Sequence, residues 1–96
     1  MDRPDEKIKQ HIPQDELLTQ LAEESAELSQ AALKLRRALT GINPTPVTVD
    51  EARKSLVEEA ADVYNVLGLL LDAADNAEIY SIIRRKKARW LNRLEG

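Results

Sequence analysis

Two short acidic clusters carry the residue types best suited to chemistry in this chain. They occupy residues 23–27 (EESAE) and 58–62 (EEAAD), and each lies within a leucine- and alanine-rich stretch. In each cluster two carboxylates stand three residues apart, Glu24 with Glu27 and Glu59 with Asp62. On an α-helix this spacing puts both side chains on one face, where like charges repel. Carboxylates converging from two antiparallel helices make a cage of hard oxygen ligands, so the clusters indicate a site for Mg²⁺ or Mn²⁺.

The helical phase indicates which acids turn towards the core. At about 100° per residue, Glu24 falls among the leucines of its helix, about 20° from Leu17. Glu59 lies at the edge of the apolar stripe of the second helix, about 60° from Leu56. A carboxylate in such a place must be protonated, paired with a base or bound to metal, because an isolated buried ion costs more than a domain's whole stability. Neither acid has a basic residue four positions away, which favours metal.

The other acids of the clusters differ in phase. Asp62 lies beside Leu69 on the flank of the second stripe, so it accompanies Glu59. Glu58 points away from the stripe and is expected to be solvated. Glu23 lies further round its helix than Glu24, and a solvated helix face is its plain structural explanation.

Composition indicates a small domain with an uneven charge distribution. The chain has 96 residues, is 43% hydrophobic and contains no cysteine, which excludes disulfides and thiolate metal sites. A chain this short buries a modest fraction of its surface alone, so we expect oligomerisation. Residues 1–83 carry 8 basic and 16 acidic side chains (net −8), whereas residues 84–96 carry 6 and 1 (net +5). Without a signal peptide or a long apolar stretch, the sequence predicts a cytoplasmic protein that does not enter a membrane.

Periodicity predicts an all-α helical bundle with three main helices per chain. Residues 1–13 are predicted to form an N-terminal arm with one helical turn, and residues 14–96 a single domain. The first long helix is expected over residues 14–39, with Gly41 as its C-terminal stop. A loop with Pro44 and Pro46 follows.

Two further helices complete the predicted bundle. Thr48 and Glu51 have the spacing of a capping box, which opens a second helix that runs to about residue 71. A polar break at residues 72–76 precedes a third helix at about residues 77–94. The apolar stripes are wide, with Val66 and Leu69 on the flank of the second helix, so we expect faces that only another copy covers.

The run Glu23-Glu24-x-x-Glu27 followed by Glu59-x-x-Asp62 resembles the metal motif of the MazG-like family of all-α nucleoside triphosphate pyrophosphohydrolases. The resemblance extends over residues 17–94. It implies Mg²⁺-dependent cleavage between the α and β phosphates of a (deoxy)nucleoside triphosphate, giving a monophosphate and pyrophosphate, in nucleotide-pool house-cleaning. It also implies a metal held by Glu24, Glu27, Glu59 and Asp62, with Mn²⁺ as a possible substitute, and a water oriented or deprotonated by Glu23.

The basic C-terminal helix, with its stretch KARWLNRL at residues 87–94, is similar to the corresponding helix of that family. The resemblance implies that Lys86, Arg89 and Arg93 hold the outgoing pyrophosphate. Trp90 is a candidate for stacking on the base, although its spacing also fits the core, and Asn65 is a candidate for reading the base or sugar. Favourable pairing with the helix dipole explains part of the positive charge.

Three other functions compete with hydrolysis. A di-iron bundle is rejected, because its ligand sets include Glu-x-x-His and the single histidine, His11, lies outside any such motif. Nucleic-acid binding through the basic helix is opposed by the net charge of −8 over residues 1–83. A non-catalytic dimerisation or regulatory module, in which the acids pair with the basic helix across an interface, stays open and predicts no response to metal.

Overall fold

The computed structural model describes residues 3–41 and 46–96, and the regular structure in these ranges is entirely α-helical. It consists of four helices, α1 (Arg3–His11), α2 (Gln14–Thr40), α3 (Val49–Leu70) and α4 (Ala73–Glu95). The prediction of an all-α chain is therefore confirmed for the described ranges. The radius of gyration is 17.0 Å, above the roughly 13 Å of a compact chain of this length. With principal extents of 46 × 39 × 21 Å, the single chain is therefore flat and open rather than compact.

Local signals set the ends of the two long central helices, as the sequence predicts. At the end of α2, Gly41 adopts a left-handed conformation (φ 69°), and its amide donates to the Arg37 carbonyl at 2.8 Å. At the start of α3, the Thr48 hydroxyl accepts from the Glu51 amide at 3.1 Å, and the Glu51 carboxylate accepts from the Thr48 amide at 3.3 Å. The predicted capping box is confirmed.

The outer helices depart from the prediction at their starts. The N-terminal arm contains the nine-residue helix α1 rather than one turn. Helix α4 begins at Ala73 rather than near residue 77, because Asp72 and Asp75 form a second capping box. The Asp75 amide donates to the Asp72 carboxylate at 2.8 Å, and the Asp72 amide donates to the Asp75 carboxylate at 3.1 Å. The polar residues that suggest a break are in fact a helix start.

Helices α2 and α3 pack side by side in antiparallel directions and hold the core. Leu17, near the start of α2, lies beside the end of α3, whereas Arg37 at the other end of α2 lies beside Ser55. Among the described residues, the buried apolar ones all belong to this pair of helices: Leu17, Ala31, Ala52, Val63 and Val66. Two of them, Ala31 and Ala52, are alanines.

Two expectations about the apolar surface are wrong. By helical phase Leu39 belongs with Leu17 on the core side of α2, yet it is 64% exposed in the last turn of that helix. Val66, predicted to need cover from another copy, is only 4% exposed in the single chain. Helix α1 explains this, since its Ile8 and the following Ile12 border the same small cavity as Val66.

Helix α4 contributes no buried residue to the described structure. Its apolar side, expected to pack, is partly or largely open, as Ile79, Ile83, Trp90 and Leu94 show. No helix within the described ranges combines the length and the apolar character needed to cross a bilayer.

Candidate metal centre

The acids of the two clusters meet near the middle of the α2–α3 pair. Glu24 and Glu27 lie one turn apart on α2, and Glu59 faces them from α3. Each of the three offers a carboxylate oxygen, and these oxygens all lie within 4.8 Å of one another. The site thus depends on two regular helices and on their register against each other.

Two of the carboxylates have an oxygen that is shielded from solvent. The Oε2 atoms of Glu24 and Glu59 are buried, and neither has a hydrogen-bond partner among the described residues. In the same ranges the one salt bridge joins Lys9 to Glu6 on α1. Of the three explanations for an inward-facing acid, pairing with a base is therefore excluded within the described part of the chain. Protonation and metal binding remain.

Burial and mutual repulsion favour the protonated form of these acids when no cation is bound. Burial raises the pKa of Glu24 above its ordinary value, and the charges of Glu27, Asp62 and Glu59 raise it further. Burial also raises the pKa of Glu59, with the charges of Glu27 and Asp62 next in importance. A divalent cation would reverse this preference, because it favours the ionised form of every carboxylate around it.

Asp62 is exposed and lies outside the group of three acids with mutually close oxygens. It is nevertheless near enough for its charge to raise the pKa of both Glu24 and Glu59. With Glu24 and Asn65 it borders a cavity of about 260 Å³, whose other lining residues are Gln20 and five apolar residues: Ile8, Ile12, Leu17, Val66 and Leu69. Asn65 is thus placed next to the acid cluster, although it is itself exposed.

Glu23 is exposed, in keeping with its helical phase. It borders a shallow pocket of about 300 Å³ that Glu24 also lines, on the side of α2 that faces Ile12. Its carboxylate is therefore at the edge of the cluster and not among the converging oxygens. Glu58, expected to be solvated, is exposed.

The predicted substrate-binding residues of α4 stand apart from the acids in the single chain. Lys86, Arg89, Trp90 and Arg93 are all exposed, and α4 lends no side chain to the pockets that border the cluster. Two basic residues that the sequence did not single out do border it. Lys34 and Arg37 line a cleft with Glu27 and Glu59. In the sequence, Lys34 could have been found from its position seven residues after Glu27, because this spacing keeps Glu27 and Lys34 on one helix face.

Comparisons of the chain with protein-family models, with curated proteins and with solved structures give no match. The geometry of the acids thus stands as the basis for a functional argument. Three converging carboxylates, with two buried oxygens that lack partners, match the oxygen-rich donor set that Mg²⁺ and Mn²⁺ prefer.

Proposed function

We propose that this protein is a Mg²⁺-dependent nucleoside triphosphate pyrophosphohydrolase, for which Mn²⁺ can replace Mg²⁺. One observation carries the proposal. Buried carboxylate oxygens of Glu24 and Glu59, which belong to different helices, lack hydrogen-bond partners in the described structure and lie with Glu27 in one cluster. A bound cation would neutralise the repulsion between the carboxylates and coordinate the oxygens that lack partners. The resemblance of these residues to the MazG-like motif indicates nucleotide chemistry.

Each acid has a distinct task in this proposal. Glu24, Glu27 and Glu59 hold the ion, and Asp62 completes the set from the next turn of α3. The ion, when bound, polarises the phosphate and lowers the pKa of the attacking water. Glu23, at the edge of the cluster, orients that water or accepts its proton, a task that suits a carboxylate free of the ligand set. Asn65, beside Asp62, contacts the base or sugar.

The proposal also requires self-association, as a homodimer or a homotetramer. Helix α4 has no buried residue, and its Trp90 and Leu94 are 59% and 72% exposed. Packing against a second copy would cover this apolar side and complete the bundle. It would also bring Lys86, Arg89 and Arg93 of one copy towards the acids of another, where they could hold the outgoing pyrophosphate. House-cleaning of the nucleotide pool is a cytoplasmic task, and we assign the protein to that compartment.

The open side of α4 equally favours a second function, a non-catalytic helical dimerisation or regulatory module. In that case the basic residues 84–96 of one copy neutralise the acids of another. The two functions differ in their response to metal. A hydrolase is stabilised by Mg²⁺ or Mn²⁺ together with a nucleotide, whereas the dimerisation module is indifferent to them.

The direct test is incubation of the protein with canonical and modified nucleoside triphosphates in the presence of Mg²⁺. Pyrophosphate is expected as the sole inorganic product, because cleavage between the α and β phosphates releases no orthophosphate. Glu59→Gln and Asp62→Asn are expected to abolish turnover while the circular dichroism spectrum stays helical. Glu58→Gln, an exposed neighbour with the same charge, is the matched control and should keep wild-type rates. Orthophosphate release, or full activity of Glu59→Gln, would contradict the assignment.

A further inference from the structure

The cleft between α2 and α3 on the side of their connecting loop has an uneven distribution of charge. It measures about 520 Å³, a size typical of sites for small ligands. At its inner end lie Glu27 and Glu59, which belong to the acid cluster, and Lys34 and Arg37 line it further towards the loop. The remaining polar residues of its lining, Gln30 and Ser55, carry hydrogen-bond donors.

The two cations of this cleft are partly buried, and neither is neutralised within the described structure. Both are of intermediate exposure, and neither makes an ion pair with any described side chain. They stand three residues apart on α2, where like charges repel. The cleft therefore holds two like charges that no described acid pairs with.

A structural role at the helix end accounts for only part of this arrangement. A cation in the last turn of a helix interacts favourably with the helix dipole, which applies to Arg37. Lys34 lies six residues before the final residue of α2, Thr40, and is beyond the last turn to which that effect is confined. Arg36 is one residue further from the helix end than Arg37, is exposed and does not line the cleft.

We propose that Lys34 and Arg37 form an anion subsite that binds the polyphosphate end of the substrate, an inference that rests on the proposed function. Lys34 is seven residues from Glu27, so its Cα lies about 10 Å further along the axis of α2 and on the same face. A ligand anchored at the acids through a cation would extend its terminal phosphates into this cleft. Guanidinium and ammonium groups there supply the charge-assisted hydrogen bonds that phosphate oxygens accept.

The direction of the substrate follows from this subsite. On the opposite side of the acids lies the cavity of about 260 Å³, whose walls are both apolar and polar and which Asn65 borders. Phosphates directed towards Lys34 leave the nucleoside on that side, next to Ile8 and Ile12. The N-terminal helix would then contact the base, and Lys34 and Arg37 would hold the terminal phosphates alongside the basic residues of α4 from another copy.

The experiment measures binding of inorganic tripolyphosphate and of a non-hydrolysable α,β-methylene nucleoside triphosphate by calorimetry in Mg²⁺. Lys34→Ala combined with Arg37→Ala is expected to weaken both by about tenfold or more. Binding of Mn²⁺ alone should stay within about twofold, since the acids are unchanged. Arg36→Ala, with the same loss of charge on the same helix, should bind like the wild type, and Lys34→Arg should retain most of the affinity. Circular dichroism verifies that each variant is folded.

Wild-type affinity in the double variant, or an equal loss in Arg36→Ala, would overturn the subsite. The proposed function is refuted by a different result, namely that the wild type hydrolyses no triphosphate. A polyphosphate site dependent on Lys34 and Arg37 would still stand in that case. Tighter binding of the nucleotide analogue than of tripolyphosphate identifies a nucleotide as the ligand. Equal binding of the two would refute the placement of the nucleoside next to α1.

Discussion

Replacement of Glu59 by glutamine tests the metal centre most directly, because the change keeps the shape of the side chain and removes its charge. The adjacent Glu58 provides the control, since it lies on the same helix and has the same charge but is exposed. Without metal, Glu59→Gln is expected to be at least as stable as the wild type at neutral pH. The reason is that burial and the charges of Glu27 and Asp62, which raise the pKa of Glu59, disfavour its ionised form.

With metal the wild type is expected to become more stable than Glu59→Gln, and the size of this stabilisation follows from mass action. A ligand present at 100 times its Kd stabilises a folded protein by about 2.7 kcal/mol. For a chain of about 100 residues this raises the Tm by about 10 to 20 °C. Changes to groups that merely support a metal ligand cost 10- to 100-fold in affinity, so loss of a ligand should cost at least about 100-fold. At the same metal concentration the Tm of the variant would then rise by only about 2 to 3 °C.

The assay is a thermal denaturation series of wild type, Glu58→Gln and Glu59→Gln in chelator and in increasing Mg²⁺ or Mn²⁺. The Tm values of the wild type and of Glu58→Gln should rise in parallel with metal concentration, and the Tm of Glu59→Gln should hardly change. A wild type that does not respond would refute the metal centre and favour the dimerisation module. An equal response of Glu59→Gln would show that the ion binds elsewhere.

Three further outcomes follow from the structure. In metal-free protein the free energy of unfolding should fall as pH rises through the raised pKa values of Glu24 and Glu59, because the unfolded chain releases these protons at lower pH. Urea denaturation between about pH 4 and 8 should show this fall in the wild type and a smaller one when both are glutamine. Thr48→Ala removes the capping box of α3 and should lower the free energy of unfolding by about 1 kcal/mol without changing the metal response. Gly68→Ala should stabilise the chain by about 0.5 to 1 kcal/mol, since Gly68 lies inside α3 and a Cβ there meets no described atom within 4 Å; destabilisation would indicate that another element packs at this point.

Those parts of the fold that depend on local chemistry could be predicted from the sequence. The end of α2 follows from Gly41, which alone adopts a left-handed backbone in the described residues, and the start of α3 follows from Thr48 and Glu51. The same rule applies at Asp72 and Asp75, where polar composition suggested a break, although the spacing of the two residues is that of a capping box. Composition and spacing thus compete as signals, and at this position spacing decides.

The candidate site could be predicted only as far as each helix alone allows. Phase places Glu24 and Glu59 on inward faces, but their meeting depends on the register of α2 against α3, which the phase of either helix alone does not give. The cleft beside Lys34 depends on that register too, so single-helix analysis gives no reason to select it. Cover for Val66 comes from α1, a helix that the arm's two prolines and weak periodicity did not indicate.

Helix α4 comprises 23 residues, and in the single chain every one of its side chains contacts water. The free energy of folding is therefore concentrated in the α2–α3 pair, and the final quarter of the sequence adds little to it. Most substitutions along this outer surface would cost the isolated protein almost nothing. The tryptophan, leucine and arginine residues of α4 can therefore be selected for binding to a partner of that surface, without a conflicting requirement from the stability of the fold.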